Sequence, residues 1–148
     1  MRLSPHFTLD ELTRSDTASA RGIDNTPGPA HLANLQRLAE TLEQVRALLG
    51  HPMLISSGYR SPALNRAIPN SSSTSDHSNG LAADFTSPRF GTVRKICEAI
   101  IASGIKFDQL IYEQGSTKWV HIGIGPRMRR EVLSWSPARR YVPGLVDL

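Results

Sequence analysis

The sequence predicts an α+β fold, a small and largely antiparallel sheet packed against helices. Three observations carry this. A long helical period of leucines occupies residues 29–49, in the first half of the chain. Short β-rich runs follow at 53–56, 81–85, 108–113 and 119–124. A second helical period, at 92–103, is inserted among them. Helices first, then strands with one helix between them, is the order of an α+β domain.

The elements are read in order. Thr8-Leu9-Asp10-Glu11 has the form of a capping box and opens a short helix. Residues 14–28 are polar and read as a loop. From Pro29, the residues Leu32, Leu35, Leu38, Leu42, Val45 and Leu48 or Leu49 recur at helical spacing, and Gly50 stands at the stop. Residues 53–56 read as a strand, and Gly58-Tyr59-Arg60-Ser61-Pro62 turns into a short helix through Arg66. A Ser/Thr/Asn-rich stretch, 70–75, precedes a strand at 81–85. Val93, Ile96, Cys97, Ile100 and Ile101 mark a helix that Gly104 ends. DQLIYE and WVHIGI flank turn residues 114–117 and predict a hairpin. Residues 135–148, with two prolines, read as an irregular tail on a single domain spanning 1–148.

Composition bounds the function. The 148 residues are 39% hydrophobic and 20% charged, an ordinary globular balance, and a chain this long buries roughly 68–70% of its unfolded surface. No apolar run approaches the roughly 18–20 residues of a membrane span. The N-terminal MRLSPHFTLDEL lacks an apolar stretch with a small-residue cleavage site. Synthesis in a cytoplasm without a signal peptide or anchor is therefore the expectation. A lone cysteine, Cys97, excludes an internal disulfide and a cysteine-cluster metal site. The net charge of +4 suggests an anionic partner: nucleic acid, a membrane surface or an acidic wall polymer. No zinc-finger spacing, RNP-like motif or dense basic run supports nucleic acid.

No HExxH, GxSxG or GxxxxGK[ST] is present. The distinctive stretch is Ser75-Asp76-His77-Ser78-Asn79-Gly80-Leu81-Ala82-Ala83-Asp84. Asp84 interrupts an apolar run, where a carboxylate is costly unless paired or metal-bound. A loop His77 and a strand Asp84 can converge on one ion if Gly80 bends the chain between them. In WVHIGI, alternation separates Val120, Ile122 and Ile124 from Trp119, His121 and Gly123, which aims His121 away from the core. His77, Asp84 and His121 then make a three-ligand zinc site with one position left for water, the catalytic pattern. His6, His31 and His51 lie in surface-like contexts.

Ser57-Gly58-Tyr59-Arg60-Ser61, the S-x-H-x-x-G-x-A-x-D string and Trp119-Val120-His121 together resemble the M15 family of zinc D-Ala-D-Ala peptidases, and in particular its short phage and prophage branch. The resemblance runs from Phe7 to about Ile124. It implies the fold of DD-peptidases and of the zinc domain of hedgehog proteins. It implies one Zn²⁺ per chain on His77, Asp84 and His121. Arg60 is implied to face the site and hold an oxyanion or peptide carboxylate, with Ser75 and Trp119 as substrate contacts. The implied activity is hydrolysis of peptidoglycan stem or cross-bridge peptides by an endolysin made in the host cytoplasm. It would act at the wall as a monomer, without nucleic-acid or membrane partners.

One position departs from the family pattern. Many members carry a carboxylate three residues before the last histidine as general base, and here Lys118 stands there. Glu113, at the end of the preceding strand, is the replacement expected, with Asp108 second. A non-catalytic zinc-fold module that binds wall peptide or a protein partner is the alternative that Lys118 motivates.

Overall fold

The computed structural model describes residues 1–69, 71–72 and 75–148. Asn70, Ser73 and Thr74, in the Ser-rich stretch read from sequence, lie outside them. The chain opens with a small hairpin of β1 (Arg2–Ser4) and β2 (Phe7–Thr8). Helix α1 (Leu9–Thr13) begins at the predicted capping box: the Thr8 hydroxyl accepts from the Glu11 amide, and the Glu11 carboxylate accepts from the Thr8 amide. The segment read as a loop contains a helix, α2 (Asp16–Arg21). Six polar and small residues show no apolar period, and the Ser15 cap with left-handed Gly22 at the stop was the only signal.

Helix α3 (Pro29–Leu49) buries Leu35, Leu38, Ala39, Leu42, Val45 and Leu49 along one stripe. Leu49 turns inward, whereas Leu48 is exposed. α4 (Pro62–Ala67), a 3-10 turn (Asp76–Asn79) and α5 (Val93–Ala102) complete the helical elements. The main sheet contains β3 (Leu54–Ser57), β4 (Ala82–Thr86), β5 (Gln109–Gln114), β6 (Lys118–Gly123), β7 (Glu131–Ser136) and β8 (Arg140–Pro143). Its order is β3-β4-β6-β5-β7-β8, antiparallel throughout except for the parallel pair β5–β7. The α+β class is the one the sequence predicts.

Alternation divides the sheet into two faces. Ala83, Phe85, Leu110, Tyr112, Val120 and Ile122 join α3 and α5 in one hydrophobic core. Asp84, Ile111, Glu113, Trp119, His121, Leu133 and Trp135 line a cleft on the other face. The predicted hairpin is β5–β6, in a register that pairs Ile111 with His121 and Glu113 with Trp119.

The irregular tail expected at 135–148 is corrected. Trp135 and Ser136 end β7, and the chain returns as β8 to pair with it. Ser134 is buried on the back face, where its hydroxyl donates to Gly144 O and accepts from the Val146 amide. Gln114 clasps the chain end through Val146 O and the Leu148 amide. Buried serines, satisfied by returning backbone, hide the β period that apolar residues would have displayed. Pro137 and Pro143 sit in the turn and at the end of an edge strand, where a proline removes no ladder bond.

Candidate metal centre

Three separate elements bring the ligand set together. His77 sits in the 3-10 turn, Asp84 in the middle of β4 and His121 on β6, directly paired with Asp84. Gly80 closes the turn with φ +72°, and a Cβ there would stand 2.8 Å from His31 O. This is the bend between loop and strand that the spacing required. The Ser75 hydroxyl caps the turn by accepting from the His77 amide.

His77 and Asp84 are buried and His121 is partly buried. One donor atom from each lies within 4.8 Å of the other two. Asp84 Oδ1 is 3.3 Å from His77 Nε2 and 3.0 Å from His121 Nδ1. Ligands at two corners of a zinc tetrahedron, with bonds of roughly 2.0–2.2 Å, stand about 3.3–3.5 Å apart. The residues therefore fit a small tetrahedral cation.

The tautomer of His77 follows from its partner. Nδ1 lies 2.7 Å from the Gly58 carbonyl, which can only accept, so Nδ1 carries the proton and the Nε2 lone pair faces the cluster. Gly58 holds that carbonyl in place through close packing. A Cβ on it would lie 2.3 Å from Leu12 O, and the neighbouring Tyr59 amide donates to the same oxygen. On the outer side of His121, the Asp76 carboxylate comes close. A Cβ on Gly123 would be 3.3 Å from Asp76 Oδ2 and 3.6 Å from His121 Nε2. Asp76 lies inside the metal motif, yet its spacing did not single it out.

Electrostatics agree with a cation site. Burial raises the Asp84 carboxyl, but His77 and His121 outweigh it and hold the group well below the usual carboxylate range. Burial lowers the His77 imidazole and keeps it neutral, as a ligand must be. Burial opposes protonation of His121 too, but the Asp84 hydrogen bond outweighs it and raises this ring.

Arg60 reaches the same carboxylate. One terminal nitrogen is 3.8 Å from Asp84 Oδ2, the other donates to Asn65 Oδ1 at 3.1 Å, and Nε donates to Ser57 Oγ at 3.3 Å. Glu113 projects from β5 onto the His121 face, and burial pushes its carboxyl up to about 7. The Trp119 indole Nε1–H is buried beside it, and its approach to the Glu113 carboxylate partly offsets that rise. Lys118 is directed the other way, its ammonium 5.7 Å from the centre of the Tyr112 ring on the core side. Asp108 is spoken for: the Arg129 amide, Nε and Nη2 donate to it at 3.0, 2.8 and 3.0 Å. The Arg129 bonds hold its carboxyl below the ordinary value, and the clasp pins the chain where it crosses over the start of β5.

A cleft of about 820 Å³ lies over these residues, the size of a site for a peptide segment. Its far wall holds Leu133, Trp135, Arg140 and Tyr141, the last three of which sequence reasoning assigned to a tail.

An α+β fold with a convergent His–Asp–His set at the floor of a cleft, and a carboxylate on the same face, has the groups that a metal-dependent hydrolase requires. The chain belongs to the peptidase M15 family, whose model, Peptidase M15, matches residues 5–123. Peptidases of this family depend on zinc, and His77, Asp84 and His121 are the residues here that could hold it. A comparison with curated proteins finds no match.

Proposed function

We propose that the protein is a zinc peptidase that hydrolyses peptide bonds in the stems or cross-bridges of bacterial peptidoglycan. The observation that carries this is the shared face of Glu113, Trp119 and His121, which sets a carboxylate beside the His–Asp–His cluster on the floor of a cleft. Bound Zn²⁺ supplies Lewis acidity, polarising a carbonyl and acidifying water.

The chain's own groups do the rest. Glu113 takes the proton of the attacking water on a carboxylate oxygen and returns it to the leaving amine. Its raised affinity for protons suits both steps near neutral pH. Arg60, fixed by Ser57 and Asn65, keeps Asp84 in place and offers its remaining N–H groups to the tetrahedral oxyanion or a substrate carboxylate. Trp119 presents its ring at the floor, and Ser75 supports the His77 turn at the rim. A 16.2 kDa chain with net charge +4 suits a phage or prophage lysin acting on an anionic wall polymer.

The test is mass spectrometry of muropeptides from purified walls, digested with and without chelator. New peptide termini that disappear with chelator and return with zinc are expected. Intact muropeptides under both conditions, from zinc-loaded protein, would sink the reading. Arg60→Ala is expected to lower kcat on the order of 10²–10³-fold, the usual effect of losing one oxyanion donor.

A further inference from the structure

We propose that the β7–β8 hairpin forms a distal substrate subsite, in which Arg140, stacked on Trp135 beside Tyr141, takes a free carboxylate of the peptide whose scissile bond lies at the metal centre. This rests on the peptidase reading above and deepens it by naming the part of the substrate that is read. The hairpin lies outside the residues that the family model matches.

The register lays out the cleft floor. Trp119, Glu113, Trp135 and Tyr141 are successive partners across β6, β5, β7 and β8, so their side chains share one face. Three strand spacings separate the strand of His121 from that of Tyr141, about 14 Å, which is about four residues of an extended peptide. Two aromatic rings on this floor are platforms for a chain lying across the strands.

Arg140 is placed by a strained backbone. Alternation would put it on the face opposite Tyr141. It has φ +58°, in the left-handed region that a residue with a Cβ seldom occupies. Alternation is suspended at the start of β8, and the guanidinium stands 5.8 Å from the centre of the Trp135 ring, lining the cleft. Strain of this kind persists where surrounding structure enforces it, and it gathers at binding sites.

Charge and position together mark Arg140. Among the described residues it has no ion pair, whereas Arg129 is held by Asp108 and Arg60 stands by Asp84. Arg127, the other cleft arginine without an ion pair among them, lies on the Asp108 side and away from the β7–β8 aromatic rings. A carboxylate held at β8 lies three strand spacings from the strand of His121, and so several residues from the bond cut. A planar guanidinium resting on an aromatic ring presents its N–H edge for bidentate capture of a carboxylate. Burial and the facing Glu113 charge hold the Tyr141 phenol above its usual value, so it remains a donor beside that edge.

The test reads binding rather than turnover. Zinc-loaded Glu113→Gln protein, chosen so that the ligand survives, is titrated with the stem tetrapeptide L-Ala–γ-D-Glu–diaminopimelate–D-Ala, as free acid and with its carboxylates amidated. The signal is the fluorescence of Trp119 and Trp135, the two tryptophans of the chain. The expected result is that the free acid binds at least tenfold tighter than the amide. Arg140→Asn, which tolerates the left-handed backbone, abolishes that preference with the melting temperature unchanged or higher. Equal binding of the two peptides, an unchanged preference in Arg140→Asn, or no binding of either peptide overturns the proposal. Arg140-dependent binding without any wall cleavage by the wild type would sink the peptidase reading alone. Wall cleavage that is indifferent to Arg140 and to amidation would sink the subsite alone.

Discussion

Glu113 carries a conflict between stability and chemistry. Burial raises its carboxyl from the ordinary 4.5 to about 7, so the folded metal-free protein prefers it protonated. The sign follows: the stabilising contribution is complete below about 4.5 and is lost as pH rises through 7. Glu113→Gln mimics the protonated form permanently. In metal-free protein it is expected to raise stability on the order of 1–3 kcal/mol at pH 8 and hardly at pH 5, read from paired denaturant melts. A stabilisation equal at both pH values would show that the carboxylate is not strained. In zinc-loaded protein the same substitution is expected to cut turnover on the order of 10²–10⁴-fold while zinc content holds, the loss that removal of a general base causes. The convergence of His77, Asp84 and His121 was legible in the sequence because Asp84 breaks an apolar run and His121 falls on the off-core side of an alternating strand. Glu113 was legible through the hairpin register alone. Asp76 was not, since nothing in its local spacing tells that its carboxylate folds over to His121. Asp108 could not be excluded before the Arg129 clasp was seen, because a chain crossing leaves no local signature.

At the scale of elements, His77 of the candidate metal centre is tied to α1 through one glycine. The Gly58 backbone packs on Leu12 O so closely that a methyl group would overlap it, and backbone cannot yield as a side chain can. Gly58→Ala is expected to cost on the order of 1–3 kcal/mol through overpacking. It should also weaken zinc affinity roughly 10–100-fold by displacing the carbonyl that fixes the His77 tautomer, the range seen for such outer partners. Calorimetric melting and competitive zinc titration check the two parts separately. Normal zinc affinity in a destabilised Gly58→Ala protein would break the proposed link. Elements with an apolar period, α3, α5 and the β5–β6 hairpin, were legible within a residue or two. Three escaped: the β1–β2 hairpin, whose strands are only three and two residues long, α2, too short and polar to show a period, and β7–β8, whose buried serines are satisfied by backbone.

Across the whole molecule, a metal held by His77, Asp84 and His121 would be linked to the fold, because these residues come from a turn and two strands that meet only in the folded chain. Chelation is therefore expected to lower the melting temperature of the wild type by several degrees and leave His77→Ala, already poor in zinc, where it was. Equal zinc content in both proteins would remove His77 from the ligand set. The parallel pairing of β7 with β5 has a further consequence, for descent rather than for chemistry. The hairpin joins the sheet at one edge, supplies none of the three ligands and is held by its own clasp to Gln114 and Gly144. With the subsite proposed above, substrate range could drift in a lineage by substitution or exchange of residues 131–143 without any change to His77, Asp84 or His121. Relatives that attack chemically different walls are expected to differ most in that segment, and a chimera carrying another relative's hairpin should acquire that relative's preference.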